Sequence, residues 1–184
     1  MSAVLVAASV SEPRAVAAGA NEIVRGTAAG RPYLAFRLAD EVYAIDILRI
    51  REIIEYGQPT SVPMMPASLR GVINLRGAVV PVVDLAVRFG RAPTGIGKRT
   101  CLVIVEVAHA GETHVLGLMV DGVNAVMEIA SADIEPAPTF GTRVNAEFIE
   151  GMARINGRFV IILDIARVLS IEEMAAVKGV DGAP

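Results

Sequence analysis

The chain has 184 residues, 53% of them hydrophobic and 20% charged, with a formal net charge of −3; that length can bury the core of one ordinary domain or of two small ones. No apolar run reaches the roughly 20 residues that cross a bilayer, because Asn74, Arg76 and Asp84 interrupt the best candidate. The acidic balance, the lack of a Lys/Arg block and the small aromatic count (five Phe, three Tyr, no Trp) argue against nucleic acid as a partner.

Residues 1–31 are rich in Ala, Ser and Gly and show neither strand nor helix periodicity, so they are expected to be a mobile tail. A partner-induced helix around Ala15 to Val24 is the alternative. The apolar patch near Met1 has no basic residue before it, so no secretory signal is expected and the cytoplasm is the expected location. The single Cys101 cannot form an intrachain disulfide.

From Tyr33 onward the pattern is of short β-favouring runs. Tyr33 to Leu38 and Val42 to Ile47 flank a tight Ala39-Asp40 connection and read as a hairpin. Leu48 to Tyr56 fits either a strand or a helix, and its β-branched content favours strand. Gly57 to Pro66 carries three prolines and reads as an extended surface connection. Ala67 to Arg70 is expected to make one helical turn ending at Gly71. Val72 to Arg76 and Ala78 to Val83 then form a hairpin turning at Gly77, with Pro81 placing the second strand at an edge or a bulge. Asp84 reads as the N-cap of a helical turn through Phe89, and Arg91 to Arg99 as a linker.

The plan then recurs. Leu102 to Val107, a hairpin tip at His109 to Thr113, Val115 to Val120 and Val123 to Ile129 are the expected strands, and Gly151 to Asp164 repeats Gly71 to Asp84 at an offset of eighty positions. Ser170-Ile-Glu-Glu reads as a capping box opening a helix over residues 171–178. Many short strands without long crossover helices indicate an all-β fold, solved most simply by small closed barrels. Runs such as Phe159-Val-Ile-Ile-Leu are apolar on both faces, which predicts two barrels sharing an apolar seam. The expected division is 32–95 for the first barrel and 96–170 for the second.

Enzymatic motifs fail when tested. Gly95-Ile-Gly-Lys98 would need Gly at 92 and Ser or Thr at 99 to be a phosphate loop, and those positions are Ala92 and Arg99. His109 and His114 are too few for a zinc site, so no metal or other cofactor is expected. Cys101 reads as a small buried hydrophobe, and no nucleophile elbow is present. A small-molecule or nucleotide-binding barrel using Gly95 to Lys98 is the alternative from another functional class.

The segments Tyr43-Ala-Ile-Asp-Ile-Leu-Arg-Ile-Arg-Glu-Ile, Pro66-Ala-Ser-Leu-Arg-Gly-Val-Ile-Asn-Leu-Arg-Gly-Ala-Val-Val-Pro-Val-Val-Asp-Leu and Val120-Asp-Gly-Val together resemble the CheW family of bacterial chemotaxis coupling proteins, over about Tyr33 to Met174. The resemblance implies two five-stranded SH3-like barrels without catalytic activity. It further implies a role coupling chemoreceptor cytoplasmic tips to the regulatory domain of a CheA-type histidine kinase, with other CheW copies as further neighbours. The protein would be cytoplasmic, recruited to membrane-associated receptor arrays without inserting into the membrane. A diverged coupler serving a non-flagellar CheA-like pathway would have the same plan.

Candidate partner-binding residues follow. Asn74 and Arg76, two apart on a strand, are expected to share one face. They read either as a solvated face or as an anchor for a carboxylate or backbone carbonyls, and the resemblance favours Arg76 as a contact. Arg70, in the same motif, is a further candidate. Glu52 is expected either to face a partner or to pair with Arg49 or Arg51. Ile50 and Ile53, with repeat mates Val123 and Val126, are core or, where exposed, line the groove in which a receptor tip would dock. Gly71, Gly77, Gly151 and Gly157 are read as structural turn positions.

Overall fold

The computed structural model describes residues 30–138 and 144–169. In chain order these form β1 (Arg31–Leu38), β2 (Glu41–Asp46), a 3-10 turn (Ile47–Arg49), β3 (Ile50–Glu55), β4 (Leu69–Leu75), β5 (Ala78–Asp84) and the one-turn helix α1 (Leu85–Arg88). There follow β6 (Cys101–His109), β7 (Glu112–Val120), β8 (Gly122–Ile129), a 3-10 turn (Ser131–Asp133), β9 (Ile134–Glu135), a 3-10 turn (Ala146–Phe148), β10 (Ile149–Ile155), β11 (Arg158–Leu163) and α2 (Ile165–Val168). The first strand thus begins at Arg31, inside the expected tail. The rest of that tail and the C-terminal helix expected over 171–178 lie outside the described residues.

Local differences from the sequence reading have local causes. Asp46 accepts a hydrogen bond from the Leu48 amide at 2.9 Å and caps the 3-10 turn that delays β3 to Ile50. No helix forms over Ala67 to Arg70, since the Asp84 amide donates to the Ser68 carbonyl at 2.7 Å and draws this segment into the start of β4. β5 pairs with both β4 and β7, so it is not an edge strand; its pairing with β7 begins at Val82, one residue after Pro81, which has no N–H to offer. The β6–β7 turn is tighter than expected: only Ala110 and Gly111, with φ of 51° and 81°, lie between the strands.

The strands form two sheets. One is ordered β3-β6-β7-β5-β4, and the other β8-β1-β2-β11-β10-β9. Backbone bonds between Thr60 and Val72, at 2.8 and 2.9 Å, tie the segment after β3 to β4. The matching place in the second sheet is the two-residue β9 against β10.

This pairing corrects the division of the chain near residue 95. The β1–β2 hairpin joins β8 to β11, while the β6–β7 hairpin joins β3 to β5, each docking through one parallel pairing, β2 on β11 and β7 on β5. Each half of the repeat therefore lends its opening hairpin to the other half's sheet. The physical reason is that these hairpins are apolar on both faces and can stabilise two cores at once.

Three apolar clusters bear this out. Leu102, Ile104 and Met119 pack with Ile54, Ile73, Val80 and Val82 inside the first sheet, and Tyr33 and Ala44 pack with Ala153, Val160 and Ile162 inside the second. The alternate residues of the exchanged hairpins, including Leu34, Phe36, Tyr43, Val103, Val105, Leu116 and Leu118, meet in the largest cluster, the seam between the sheets. The shared seam expected from runs apolar on both faces is present, since Ile161 and Leu163 belong to the seam while their neighbours Val160 and Ile162 point inward.

Candidate functional site

The β4–β5 hairpin closes on the pair Leu75↔Ala78, leaving Arg76 and Gly77 as a two-residue turn with φ of 54° and 88°. Two left-handed residues in succession match the twist of the flanking strands. Arg76 is consequently a turn residue and not, as expected, a strand-face neighbour of Asn74. Asn74 has a structural task, because its Oδ1 accepts the Gly77 amide at 2.8 Å and latches the turn. A non-glycine residue in this conformation costs roughly 1 kcal/mol, a cost Arg76 shares with Ala39, Ala110 and Asn156 at the other hairpin turns.

Arg76 reaches from the turn to β3. Its Nη2 lies 3.0 Å from Glu52 Oε2, with the Arg76 side chain 59% exposed and that of Glu52 15%. Two of the predicted contact residues are thus one ion pair, and the partner of Glu52 is Arg76 instead of Arg49 or Arg51. Arg51 pairs with Glu106 at 3.1 Å.

The other candidates lie elsewhere. Arg70 stands at the opposite end of β4, with Nε 3.7 Å from the buried Asp84 carboxylate. Asp84 also accepts from the Ala86 and Thr94 amides and the Thr94 hydroxyl, so Arg70 belongs to a buried cap. Ile50, Ile53, Val123 and Val126 are half-buried and pack on the edge of the seam cluster. Of the glycines, Gly77 and Gly157 make turns, whereas Gly71 and Gly151 lie within β4 and β10 at bulges. There a Cβ would meet the Thr60 carbonyl oxygen or Ile134 and the Glu135 carbonyl, respectively, so close approach replaces the turn role.

A cleft of about 490 Å³ opens beside the Arg76–Glu52 pair, walled by Arg51, Val79, Thr113 and His114. Arg51, Val79 and His114 were not singled out as contacts from sequence. The available signal was comparison of repeat mates: Arg51, Arg76 and His114 correspond to Asn124, Asn156 and Glu41, so these three side chains belong to one copy alone.

The CheW-like domain family matches residues 32–173, which is most of the chain. This chain belongs to the CheW-like family. It is 36% identical over 155 residues to the chemotaxis protein CheW of Klebsiella aerogenes, covering 84% of this chain and 91% of that protein. The crystal structure of scaffolding protein TtCheW from Thermoanaerobacter tengcongensis matches with a TM-score of 0.70 at 33% identity, over 78% of this chain and 90% of that one. Protein FrzA of Myxococcus xanthus is 28% identical, covering 79% of this chain and 89% of its own length. The two sheets are accordingly the two SH3-like barrels of the CheW architecture.

Among the described residues of this CheW-like chain no group of three or more His, Cys, Asp or Glu side chains gathers that could hold a metal ion. Cys101 is buried, and burial pushes its thiol up to about 11, against a smaller lowering by a backbone hydrogen bond at Val123; it is kept from being a nucleophile. In the Gly95–Lys98 loop, the Gly97 amide is taken by Thr100 Oγ1 at 2.8 Å, and the loop leads into β6 without the helix that a phosphate loop requires. Among the described residues no helix is long and apolar enough to cross a membrane.

Proposed function

We propose that this chain is a non-enzymatic adaptor that couples chemoreceptors to a CheA-type histidine kinase, binding the kinase's regulatory domain and a receptor's cytoplasmic tip at once in the cytoplasm. The observation that carries this reading is Arg76: exposed, held in a strained turn, tied to Glu52, and absent from the other repeat copy. A surface difference between two otherwise matching barrels is what an adaptor needs to tell two partners apart. The half-buried Ile50, Ile53, Val123 and Val126 offer an apolar rim for the receptor tip. Coupling would be geometric, since a scaffold transmits a receptor's shift only through contacts that differ between the two signalling states.

The likeness to FrzA, a relative that does not carry the CheW name, favours one second reading, a coupler for a non-flagellar CheA-like pathway. A pull-down with the neighbouring kinase's regulatory domain, with and without a receptor tip, tests both. Capture of the chemotaxis kinase only when this chain is present supports the first reading. Capture of a different CheA-like kinase selects the second, and receptor control of kinase activity in a mixture lacking this chain sinks the adaptor role.

A further inference from the structure

The β6–β7 hairpin departs from its repeat mate. β1–β2 turns after the pair Leu38↔Glu41, whereas β6–β7 passes the corresponding pair, Val107↔His114, and continues through Ala108↔Thr113 and His109↔Glu112. At the root of this extension His114 is 7% exposed, and among the described residues its Nε2 is the buried side-chain nitrogen without a hydrogen-bond partner. The nearest acid, Glu112, stands 3.9 Å away, beyond hydrogen-bond reach, with its side chain 61% exposed. Native structures rarely leave a buried imidazole nitrogen unmatched, so this one points to a ligand.

The surroundings indicate what that ligand is. His114 lines the same cleft as Arg51 and Arg76, whose side chains are 53% and 59% exposed. Each guanidinium has five N–H donors, and the ion pairs to Glu106 and Glu52 leave donors over. Charged groups around the imidazole are Glu112 on its own strand, Arg51 and Glu52 on β3, and Arg76 on the β4–β5 turn, with Glu106 on β6 behind Arg51; the His109 ring lies 6.5 Å away. The cleft wall itself has two fixed positive charges against one negative. Its repeat counterpart, with Asn124, Asn156 and Glu41, has no fixed positive charge at these positions.

We propose that this cleft is a binding site for the carboxylate of an Asp or Glu side chain on a protein partner. Arg51 and Arg76 are its outer ligands and His114 Nε2–H its inner donor. Glu112, 3.9 Å from Nε2, is the chain's own carboxylate that competes for this donor. That the carboxylate comes from a protein rests on the adaptor reading.

The test follows the imidazole signals of His114 by nuclear magnetic resonance in the full chain, with His109 as internal reference. The probes are acetyl-tetraglutamate amide, acetyl-tetraglutamine amide and inorganic phosphate at matched ionic strength. Tetraglutamate is expected to give a saturable His114 shift, tetraglutamine none, and phosphate a response about tenfold weaker. Arg51→Gln and Arg76→Gln, both at exposed positions, should each weaken the tetraglutamate response about tenfold, and Glu112→Gln should strengthen it. An unmoved His114, or phosphate matching the peptide, overturns the proposal. A chain that captures the kinase while His114 stays silent fails the cleft assignment alone, and one whose His114 responds but that captures no kinase fails the adaptor reading alone.

Discussion

Arg76 and Asn156 occupy the same position of the repeat, the first residue of a two-residue turn, and share a left-handed backbone with φ of 54° and 51°. Asparagine accepts that conformation readily and arginine does not. The second hairpin therefore has the residue its backbone favours. It places Arg154 instead on the strand, over the Phe159 ring at 5.5 Å. The first hairpin has an arginine at a position whose backbone does not favour it.

Arg76→Asn should accordingly raise stability by about 0.5–1 kcal/mol, less a smaller loss from the exposed pair with Glu52, while weakening ternary assembly with kinase and receptor. Arg76→Ala should leave the melting temperature nearly unchanged and weaken assembly to the same degree. Calorimetry alongside a pull-down separates the two effects, and a large fall in stability for either variant would assign Arg76 a structural role.

Gly71 and Gly77 are six residues apart but should respond differently to alanine. At Gly71 a Cβ would overlap the Thr60 backbone, and φ is 138°, so Gly71→Ala should cost roughly 3 kcal/mol or more by breaking the Thr60–Val72 bridge. At Gly77 the space is open and only φ, at 88°, opposes a side chain, so the cost should be about 1 kcal/mol. Urea denaturation of both variants checks the order; equal losses would show that close approach does not matter at Gly71.

Asp84 and Asp164 cap α1 and α2, but Asp84 is fully buried with Arg70 and Thr94 on it, while Asp164 is half-buried and holds the Arg167 amide at a long 3.3 Å. Asp84→Ala should cost about 3–4 kcal/mol, since it strands buried donors and a cation, and Asp164→Ala about 1 kcal/mol. Comparable thermal shifts for the two would contradict this.

The Cys101 thiol, raised from 9.0 to about 11 by burial, ties stability to alkaline pH. The contribution is complete below about pH 9, where folded and unfolded chains both hold the proton, and is lost as pH rises toward about 11, because the unfolded chain ionises first. The full interval corresponds to about 2–3 kcal/mol at most. Tyr43, raised by burial and by its hydrogen bond to Glu41, acts with the same sign at higher pH. Denaturation midpoints at rising alkaline pH should fall more steeply for the natural chain than for Cys101→Ala; parallel curves would remove Cys101 from the effect.

Much of the fold was legible in the sequence because its signals are local or periodic. The offset of eighty aligned Gly77 with Gly157 and Asp84 with Asp164, and two-faced runs such as Phe159 to Leu163 announced a seam. Which hairpin joins which sheet was not legible, since β1–β2 and β6–β7 are nearly interchangeable in pattern and their placement depends on pairings made far along the chain. At the site, Glu52 and Arg76 were each suspected but not as partners, because 24 residues separate them. Arg76 was placed on a strand face because period-2 reasoning does not reveal where a hairpin turns. His114 was weighed only as a metal ligand, because its burial comes from packing that residue spacing does not reveal.

The hairpin exchange also bears on how the chain can be cut. A break in the linker from Arg91 to Arg99 would leave an N-terminal fragment holding three strands of one sheet and two of the other, and a C-terminal fragment holding the remainder. Neither piece owns a complete barrel, yet each carries the hairpin that the other lacks. The two should recognise each other as lock and missing ward do, reassembling from separate chains. At high concentration, intact copies have the same option of trading hairpins between molecules.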